Sequence, residues 1–204
     1  MNFLAHFHVS PPSADAIAGA FLGDFIRGSV SDHVDLPLEM RNGITLHRRV
    51  DAFTDSHSIW QRSAERLAPE RRRLAGIIID VIYDHYLCRN WDDFSQDSLP
   101  DFVGRCYTSL LSRTQFMEVE PRRVVRRMQE HDWLNSYLDP NGIALAFRRL
   151  SLRSKALVGI ERAAEDFEAN YDLFQSDFLE YYPKLQNFAE REWKALTAPI
   201  DADS

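Results

Sequence analysis

Residues 43–55 read GITLHRRVDAFTD, and their hydrophobic spacing is typical of an amphipathic helix. On such a helix His47, Asp51 and Asp55 follow one another at i, i+4 and i+8, so they form one polar stripe. At about 100° per residue the stripe covers about 80° of the helix surface, and it borders an apolar arc. An imidazole and two carboxylates at the rim of a buried face are a ligand set that suits a divalent metal ion. The stretch therefore predicts both a helix and a metal site.

A second apolar stretch, residues 77–86, reads IIIDVIYDHY and predicts a helix that is buried on most of its surface. On this helix Asp84 and His85 lie at opposite edges of the apolar arc, and Asp80 lies one turn before Asp84. A buried carboxylate without a partner is costly, so we expect Asp84 to be paired or metal-bound. The stretch therefore predicts a second source of metal ligands.

The rest of the chain predicts helices joined by short loops, and it has no alternating strand pattern of useful length. We expect helices over residues 14–28, 37–55 (bent at Asn42-Gly43), 57–66, 69–90, 100–113, 121–131, 142–151, 157–174 and 176–196 (broken near Pro183), with a turn at 139–142. This pattern predicts an all-α fold in which roughly seven to nine helices form one multi-helix array. A single domain is expected over residues 1–196, and residues 197–204 are expected to fray.

Composition limits the partners of the chain. Its 204 residues carry a formal net charge of −7, which argues against broad nucleic-acid binding because such binding requires the neutralisation of phosphates. No apolar run approaches the ~18 residues of a transmembrane helix, and no signal peptide is recognisable, so no membrane partner is expected. The two cysteines, Cys88 and Cys106, make no disulfide framework and favour a cytoplasmic protein.

The candidate metal ligands come from three predicted helices. They are Asp24, His47, Asp51, Asp84 and His85. Histidine and aspartate ligands spread over several helices of an all-α chain resemble the HD phosphohydrolase superfamily, so the resemblance implies an HD-phosphohydrolase-like fold. The adjacent pair here reads Asp84-His85, whereas that superfamily has histidine before aspartate.

A more specific resemblance extends over nearly the whole chain. The matching blocks are MNFLAH (1–6), GDFIRG (23–28), GITLHRRVD (43–51), FTD (53–55), DVIYDHYL (80–87), Trp91, YD (171–172) and FLEYYP (178–183). In their order and spacing these blocks resemble the acyl carrier protein phosphodiesterase family, an unconventional HD-type family. Residues 95–140 match that family weakly.

This resemblance implies a particular reaction. Members of the family remove 4′-phosphopantetheine from the serine of holo-acyl carrier protein by hydrolysing a phosphodiester, and they depend on a divalent metal, typically Mn²⁺ or Mg²⁺. Such a metal lowers the pKa of bound water and offsets the charge on phosphoryl oxygens. The expected substrate is therefore holo-acyl carrier protein, and the expected cofactor is Mn²⁺ or Mg²⁺.

Two further side chains are candidates for the proton transfers and for positioning. A serine oxygen leaves poorly, so we expect a proton donor near it, and His6 is the candidate. Asp80 is expected to orient a metal ligand or to hold a second metal ion, with Asp55 as the alternative.

Arginine side chains are candidates for binding the phosphate and the carrier protein. The bidentate guanidinium of Arg48 suits a phosphate, as do those of Arg27 and Arg49. Acyl carrier proteins are strongly acidic, so an acidic enzyme needs a local basic surface to dock one. The candidate docking residues share one helical stripe: Arg122, Arg123, Arg126 and Arg127.

Two other classes of function remain open. The first is an HD-type metal-dependent phosphohydrolase that acts on a nucleotide or another small phosphoester. The chain has no strand, Gly-rich loop and helix of the kind that binds phosphate, which weakens ordinary nucleotide binding. The second is a helical interaction module without catalysis, which predicts no bound metal. The set of histidine and aspartate residues argues against this second alternative.

Overall fold

The structure is a computed structural model that describes residues 2–152 and 154–198, and within these ranges its regular structure is entirely helical. The α-helices are α1 (Phe3–His8), α2 (Ala14–Leu22), α3 (Leu38–Ser56), α4 (Ser58–Glu65), α5 (Ala75–Arg89), α6 (Leu99–Ser112), α7 (Val119–Glu130), α8 (Trp133–Ser136), α9 (Pro140–Ser151), α10 (Ala163–Ala169) and α11 (Tyr171–Thr197). The all-α prediction is confirmed, although the eleven α-helices in the described ranges exceed the expected number.

Helix α5 lies inside the array, as its apolar sequence predicts. Residues 81–88 are all buried, so neighbouring helices cover this part of α5 on every side. Fully buried aromatic side chains of helix α11 contribute to this cover, among them Phe178 and Tyr181. The ring of Tyr83 on α5 meets that of Phe178 edge to face, with centroids 5.6 Å apart. This aromatic core holds α5 against α11, and α11 in turn packs against α3.

Helices α2 and α3 cross at close range because glycines occupy the crossing point. A Cβ atom added at Gly19 would lie 2.2 Å from the carbonyl oxygen of Met40. One added at Gly43 would lie 2.6 Å from the carbonyl oxygen of Ala16. Only glycine permits the two backbones to approach this closely. Gly43 therefore serves helix packing, and α3 runs through it as one helix.

We expect Gly19→Ala to lower the free energy of unfolding by about 2 kcal/mol, because the new methyl group overpacks the crossing of α2 and α3. Gly104 is the matched control, since it also lies within a helix but a Cβ atom added there meets no described heavy atom within 4 Å. Gly104→Ala should stabilise the protein by up to about 1 kcal/mol through helix propensity. Urea unfolding followed by circular dichroism measures both changes, and equal values for the two variants would contradict a tight crossing.

Two helices of the N-terminal half have boundaries that differ from the prediction. The helix predicted over residues 14–28 ends at Leu22. The backbone N–H of Phe25 donates to the carbonyl oxygen of Leu22 at 2.9 Å, an i to i−3 bond that closes a turn. The helix predicted over residues 69–90 begins later, at Ala75, after a short 3₁₀ turn.

The predicted turn at residues 139–142 is instead the N-terminus of α9. The side chain of Asp139 accepts a hydrogen bond from the backbone N–H of Asn141 at 2.9 Å, which is the bond of a helix N-cap. Pro140 then occupies the first helical position, where its missing N–H costs nothing. Residues that are typical of a turn are thus also those that start a helix.

The last two helices also divide differently from the prediction. The helix predicted over residues 157–174 begins only at Ala163, after two short 3₁₀ turns. It is then interrupted at Asn170, whose side chain donates back to a carbonyl oxygen of α10. Helix α11 then runs to Thr197 without the break predicted near Pro183. The predicted division between domain and tail stays a prediction, because residues 199–204 lie outside the described ranges.

Within the described ranges, none of the helices combines the length and the apolar character that crossing a membrane requires. Cys88 and Cys106 are both buried, and neither forms a disulfide bond with a described residue.

Candidate metal centre

Three side chains from α1 and α3 converge at one point. His6 Nε2 lies 3.1 Å from Asp51 Oδ1, and His47 Nε2 lies 3.1 Å from Asp51 Oδ2. The two imidazole rings stack with their centroids 3.9 Å apart. One ligand atom from each of the three side chains lies within 4.8 Å of the other two, as the ligands of a single metal ion do. His6, His47 and Asp51 are termed the ligand cluster.

The burial and the contacts of the His6 and His47 ring nitrogens are suited to metal binding. His6 and His47 are only 2% and 3% exposed. The Nε2 atom of His6 makes no hydrogen bond of regular geometry to a described residue, although it lies close to Asp51. A metal ion between these atoms would give the Nε2 atom a well-aligned partner. The ligand cluster is therefore compatible with a divalent metal ion.

Asp24 lies at the edge of the ligand cluster. Its Oδ1 atom is 3.5 Å from His47 Nε2, and its side chain is half exposed. This approach depends on the preceding residue, because a Cβ atom added at Gly23 would lie 2.2 Å from Cγ of the His47 ring. Gly23 is not among the predicted site residues, and the only sequence signal for it is its position directly before a predicted ligand.

Asp84 holds the helix that carries His6. Its two carboxylate oxygens accept hydrogen bonds from the backbone N–H groups of Leu4 and Ala5, each at 3.0 Å. These groups belong to the first turn of α1, where the N-cap residue Asn2 provides no side-chain bond. Burial raises the pKa of Asp84 to about 7. Asp84 therefore positions His6 through the backbone of α1, and this contact takes the place of the predicted metal coordination.

The structure does not bring His85 to the ligand cluster. Consecutive residues of a helix point about 100° apart, so His85 and Asp84 face different neighbours. The Nδ1 atom of His85 lies 2.7 Å from the carbonyl oxygen of Tyr137, and its Nε2 atom lies 2.9 Å from the hydroxyl of Tyr171. Both ring nitrogens are thus engaged, which corrects the expectation that His85 binds a metal ion.

The charges around the ligand cluster shift the pKa values of its members in opposite directions. Burial opposes protonation of His47, but the carboxylates of Asp24 and Asp51 raise its pKa to about 9. Burial and the neighbouring His47 lower the pKa of His6 to about 4. Contacts with the two imidazoles hold the pKa of Asp51 well below its usual range despite burial. The carboxylates of Asp51 and Asp24 thus favour a positive charge between them, and a metal cation would supply one as a proton does.

Asp80 lies close to the ligand cluster but is not a member of it. Its side chain is half-buried, and together with Asp24 it lines a groove beside the cluster. Burial, reinforced by the carboxylate of Asp51, raises the pKa of Asp80 to about 6. Asp55, the alternative to Asp80 in the sequence analysis, is exposed.

Arg48 stabilises the turn that carries Asp24. Its guanidinium donates to the carbonyl oxygens of Gly28 and Ile26, each at 2.7 Å. Arg48 thus contacts the backbone two and four residues after Asp24, and its predicted contact with phosphate stays a prediction.

The fold and the ligand cluster together define an all-α protein with a candidate metal centre. The chain belongs to the acyl carrier protein phosphodiesterase family, because the family profile of that description matches residues 1–185. No solved structure matches the chain, so the expected likeness to the HD phosphohydrolase fold stays a prediction.

Curated relatives named acyl carrier protein phosphodiesterase match almost end to end. The relative from Escherichia coli (strain K12 / DH10B) is 31% identical over 195 residues, which cover 94% of this chain and 99% of the relative. The relative from Klebsiella pneumoniae is 30% identical over 196 residues, with the same coverage of 94% and 99%. The relative from Enterobacter sp. (strain 638) is 30% identical over 189 residues, which cover 91% and 95%.

Proposed function

We propose that this chain hydrolyses the phosphodiester of holo-acyl carrier protein, releasing 4′-phosphopantetheine and apo-acyl carrier protein, and that the reaction depends on a divalent metal ion. Membership of the family supports the substrate. The observation that carries the metal dependence is the convergence of His6, His47 and Asp51.

The ligand cluster would hold the metal ion through two imidazole nitrogens and a carboxylate, and Asp24 is placed to add a second carboxylate. When bound, a divalent cation supplies a Lewis acid that activates water and offsets charge on the phosphoryl oxygens. A mixed set of imidazole and carboxylate ligands suits Mn²⁺, and the carboxylates also suit Mg²⁺. Asp51 contacts both imidazoles and therefore fixes their mutual orientation.

His6 serves as a metal ligand in this proposal and not as the proton donor predicted from the sequence. With its pKa lowered to about 4, the imidazole of His6 is neutral at neutral pH, and a neutral imidazole is the form that binds metals. Asp80 is the better candidate for the proton donor, because its side chain lies close to the ligand cluster and lines the groove beside it. Its carboxyl group would give a proton to the departing serine oxygen, which leaves poorly as an alkoxide.

Arg27 is the best placed of the three arginines expected to bind phosphate. It is exposed in the turn that carries Asp24. Arg48 is committed to backbone carbonyl oxygens, and Arg49 pairs with Glu192 at 2.6 Å. A guanidinium that reaches the substrate would stabilise phosphoryl charge by bidentate hydrogen bonds.

We expect Arg48→Met to weaken Mn²⁺ binding by about 10–100-fold, because residues that orient metal ligands have effects of this size. Loss of the guanidinium releases the carbonyl oxygens of the turn and lets Asp24 move away from His47. Isothermal titration calorimetry measures the affinity. The control is Arg191→Met, which removes an exposed guanidinium on α11 that also donates to a backbone carbonyl. Equal affinities for the two variants would remove Arg48 from the positioning of Asp24.

The arginine stripe of α7 provides a basic surface for the acidic substrate, and all four of its members are exposed. We expect the double substitution Arg123→Glu and Arg127→Glu to raise KM for holo-acyl carrier protein by about tenfold and to leave kcat within twofold, since reversed charges act on docking. The control reverses two charges on α11, Arg191→Glu and Lys194→Glu. A KM equal to that of the control would exclude the stripe from docking.

The direct test incubates the purified protein with holo-acyl carrier protein and Mn²⁺, and weighs the carrier protein by mass spectrometry. We expect the carrier protein to lose one phosphopantetheine mass, and we expect a chelator to prevent the loss. A protein that binds Mn²⁺ but leaves the carrier protein intact would instead act on another phosphoester, and a panel of nucleotides would then be assayed. A protein that binds no metal and releases nothing would be a helical interaction module.

A further inference from the structure

A groove of about 360 Å³ opens beside the ligand cluster. Its lining includes Asp24, whose carboxylate contacts His47, and Asp80, the proposed proton donor. Much of the remaining lining comes from α8 and α9 and includes Trp133 and Ala146. This volume lies within the range of roughly 300–1,000 Å³ that is usual for small-ligand pockets. One continuous groove thus connects the reaction centre with a wall formed by two later helices.

We propose that this groove binds the pantetheine arm of the substrate, an assignment that rests on the proposed function. During hydrolysis the phosphoryl group lies at the ligand cluster, and it carries two substituents, the folded carrier protein and the linear arm. A folded protein cannot enter a groove of this size, whereas a linear arm can. Because Asp24 and Asp80 lie beside the ligand cluster and also line the groove, an arm whose phosphorus lies at the cluster extends along the groove.

The lining matches the chemistry of the arm, in which amide groups alternate with alkyl segments. Ala146 and Leu150 on α9 provide apolar surface for the alkyl segments. Asn2, Ser136 and Tyr137 provide polar groups for the amides. The side-chain nitrogen of Asn2 donates to the Tyr137 hydroxyl at 2.8 Å, and no described residue donates to the side-chain oxygen, Oδ1. That oxygen is positioned to accept a hydrogen bond from an amide N–H of the arm.

The wall of the groove is formed before the ligand arrives. A Cβ atom added at Gly142 would lie 1.9 Å from the carbonyl oxygen of Ser136, so α9 rests directly on the end of α8. A rigid wall needs little reorganisation to bind a flexible arm, and this lowers the free-energy cost of binding.

The first test narrows the groove. Ala146 is a half-buried lining residue, and Ala144 on the same helix is equally half-buried but is not part of the lining. The two positions lie about 200° apart on α9, so they form a matched pair. We expect Ala146→Leu to raise KM for holo-acyl carrier protein by about tenfold with kcat within twofold, as extra methyl groups in a binding pocket do. Ala144→Leu should leave KM unchanged.

The second test measures binding without catalysis, first with the wild-type protein and then with Ala146→Leu. Pantetheine contains the arm but neither the phosphate nor the carrier protein, so its binding reports on the groove alone. We expect calorimetry to show pantetheine binding to the wild-type protein at millimolar concentration, and we expect Ala146→Leu to weaken it. We also expect pantetheine to inhibit hydrolysis competitively.

The outcomes separate the groove from the reaction. A wild-type protein that releases no phosphopantetheine overturns the proposed function, and the groove assignment falls with it. A wild-type protein that releases phosphopantetheine, but neither binds pantetheine nor distinguishes Ala146→Leu from Ala144→Leu, overturns the groove assignment alone. If Ala146→Leu does not fold, the binding and inhibition by pantetheine with the wild-type protein decide the question.

Discussion

His47→Ala should lower kcat/KM for holo-acyl carrier protein by at least about a thousandfold, which corresponds to about 4 kcal/mol of transition-state stabilisation. His47 contacts both carboxylates of the centre, Asp24 and Asp51, and its ring stacks on that of His6. Removing the imidazole deletes one of the two nitrogen ligands and leaves the two carboxylates without the positive group between them. The same variant should therefore lose most of its affinity for Mn²⁺.

The matched control for this prediction is His131→Ala, because His131 is an exposed residue at the end of α7. Far-UV circular dichroism establishes that both variants are folded before steady-state rates and Mn²⁺ affinities are measured. A His47→Ala protein that retains activity within tenfold of wild type, or that binds Mn²⁺ as tightly, would refute the assignment of the metal centre.

Asp177→Ala should lower the free energy of unfolding by about 3 kcal/mol, more than Gly19→Ala does. Asp177 is only 1% exposed and accepts hydrogen bonds from Arg62 Nε at 2.7 Å and from Ser63 Oγ at 2.8 Å. Arg66 adds two more, from Nε at 2.7 Å and from a terminal nitrogen at 3.1 Å. Removing a buried partner of this kind costs about 3–5 kcal/mol, and the partial exposure of both guanidinium groups places the expected loss at the lower end.

The unfolding free energy lost in Asp177→Ala should be smaller in acid than at neutral pH. Burial opposes ionisation of Asp177, but the hydrogen bonds from Arg66 and Ser63 hold its pKa below the ordinary value of 3.8. A lowered pKa means that the stabilisation is present above the ordinary value and is lost as the pH falls through the folded-state pKa. Urea unfolding should show the full difference between wild type and variant at pH 7 and a smaller one in acid.

Asp172→Ala is the control for this second prediction, since Asp172 is an exposed aspartate on the same helix. It should change stability by less than about 0.5 kcal/mol, as surface substitutions generally do. A difference below about 1 kcal/mol between the two variants at neutral pH would show that the buried ion-pair network contributes little.

The part of the site that lies within one helix could be predicted from the sequence. The spacing of His47 and Asp51 by four residues fixes their proximity on any helix, and the structure places both in the ligand cluster. The buried position of α5 also follows from its sequence, because the run of apolar residues has no polar face to expose.

The partners of side chains between helices could not be predicted in this way. The sequence indicates that Asp84 is buried and partnered, but the choice between a metal ion and backbone N–H groups depends on which helix packs opposite it. The structure supplies α1, whose N–H groups at Leu4 and Ala5 take both carboxylate oxygens. The contact between Arg48 and Gly28 could not be predicted for the same reason. It joins residues 20 positions apart, and the local sequence does not define the shape of the chain around Gly28.

Prediction from the local sequence also failed where tertiary packing outweighs the low helix propensity of a residue. Pro183 lacks the N–H that continues a helix and predicts a break. The neighbouring residues Tyr181, Tyr182 and Leu185 are all fully buried, and their packing keeps α11 continuous through this position. Burial of two tyrosines and a leucine offsets the roughly 3 kcal/mol that a proline costs inside a helix.

The contact between Asp84 and α1 joins the N-terminal helix to a residue that is synthesised much later. Helix α1 has six residues, and isolated helices shorter than about 12–15 residues are barely stable in water. His6, Asp24, His47 and Asp51 all leave the ribosome before Asp84, which lies 80 positions after Leu4. A nascent chain that ends before α5 therefore has every proposed metal ligand but lacks the carboxylate that accepts the N–H groups of Leu4 and Ala5. We expect the proposed metal centre to reach its final geometry only after α5 has docked on α1.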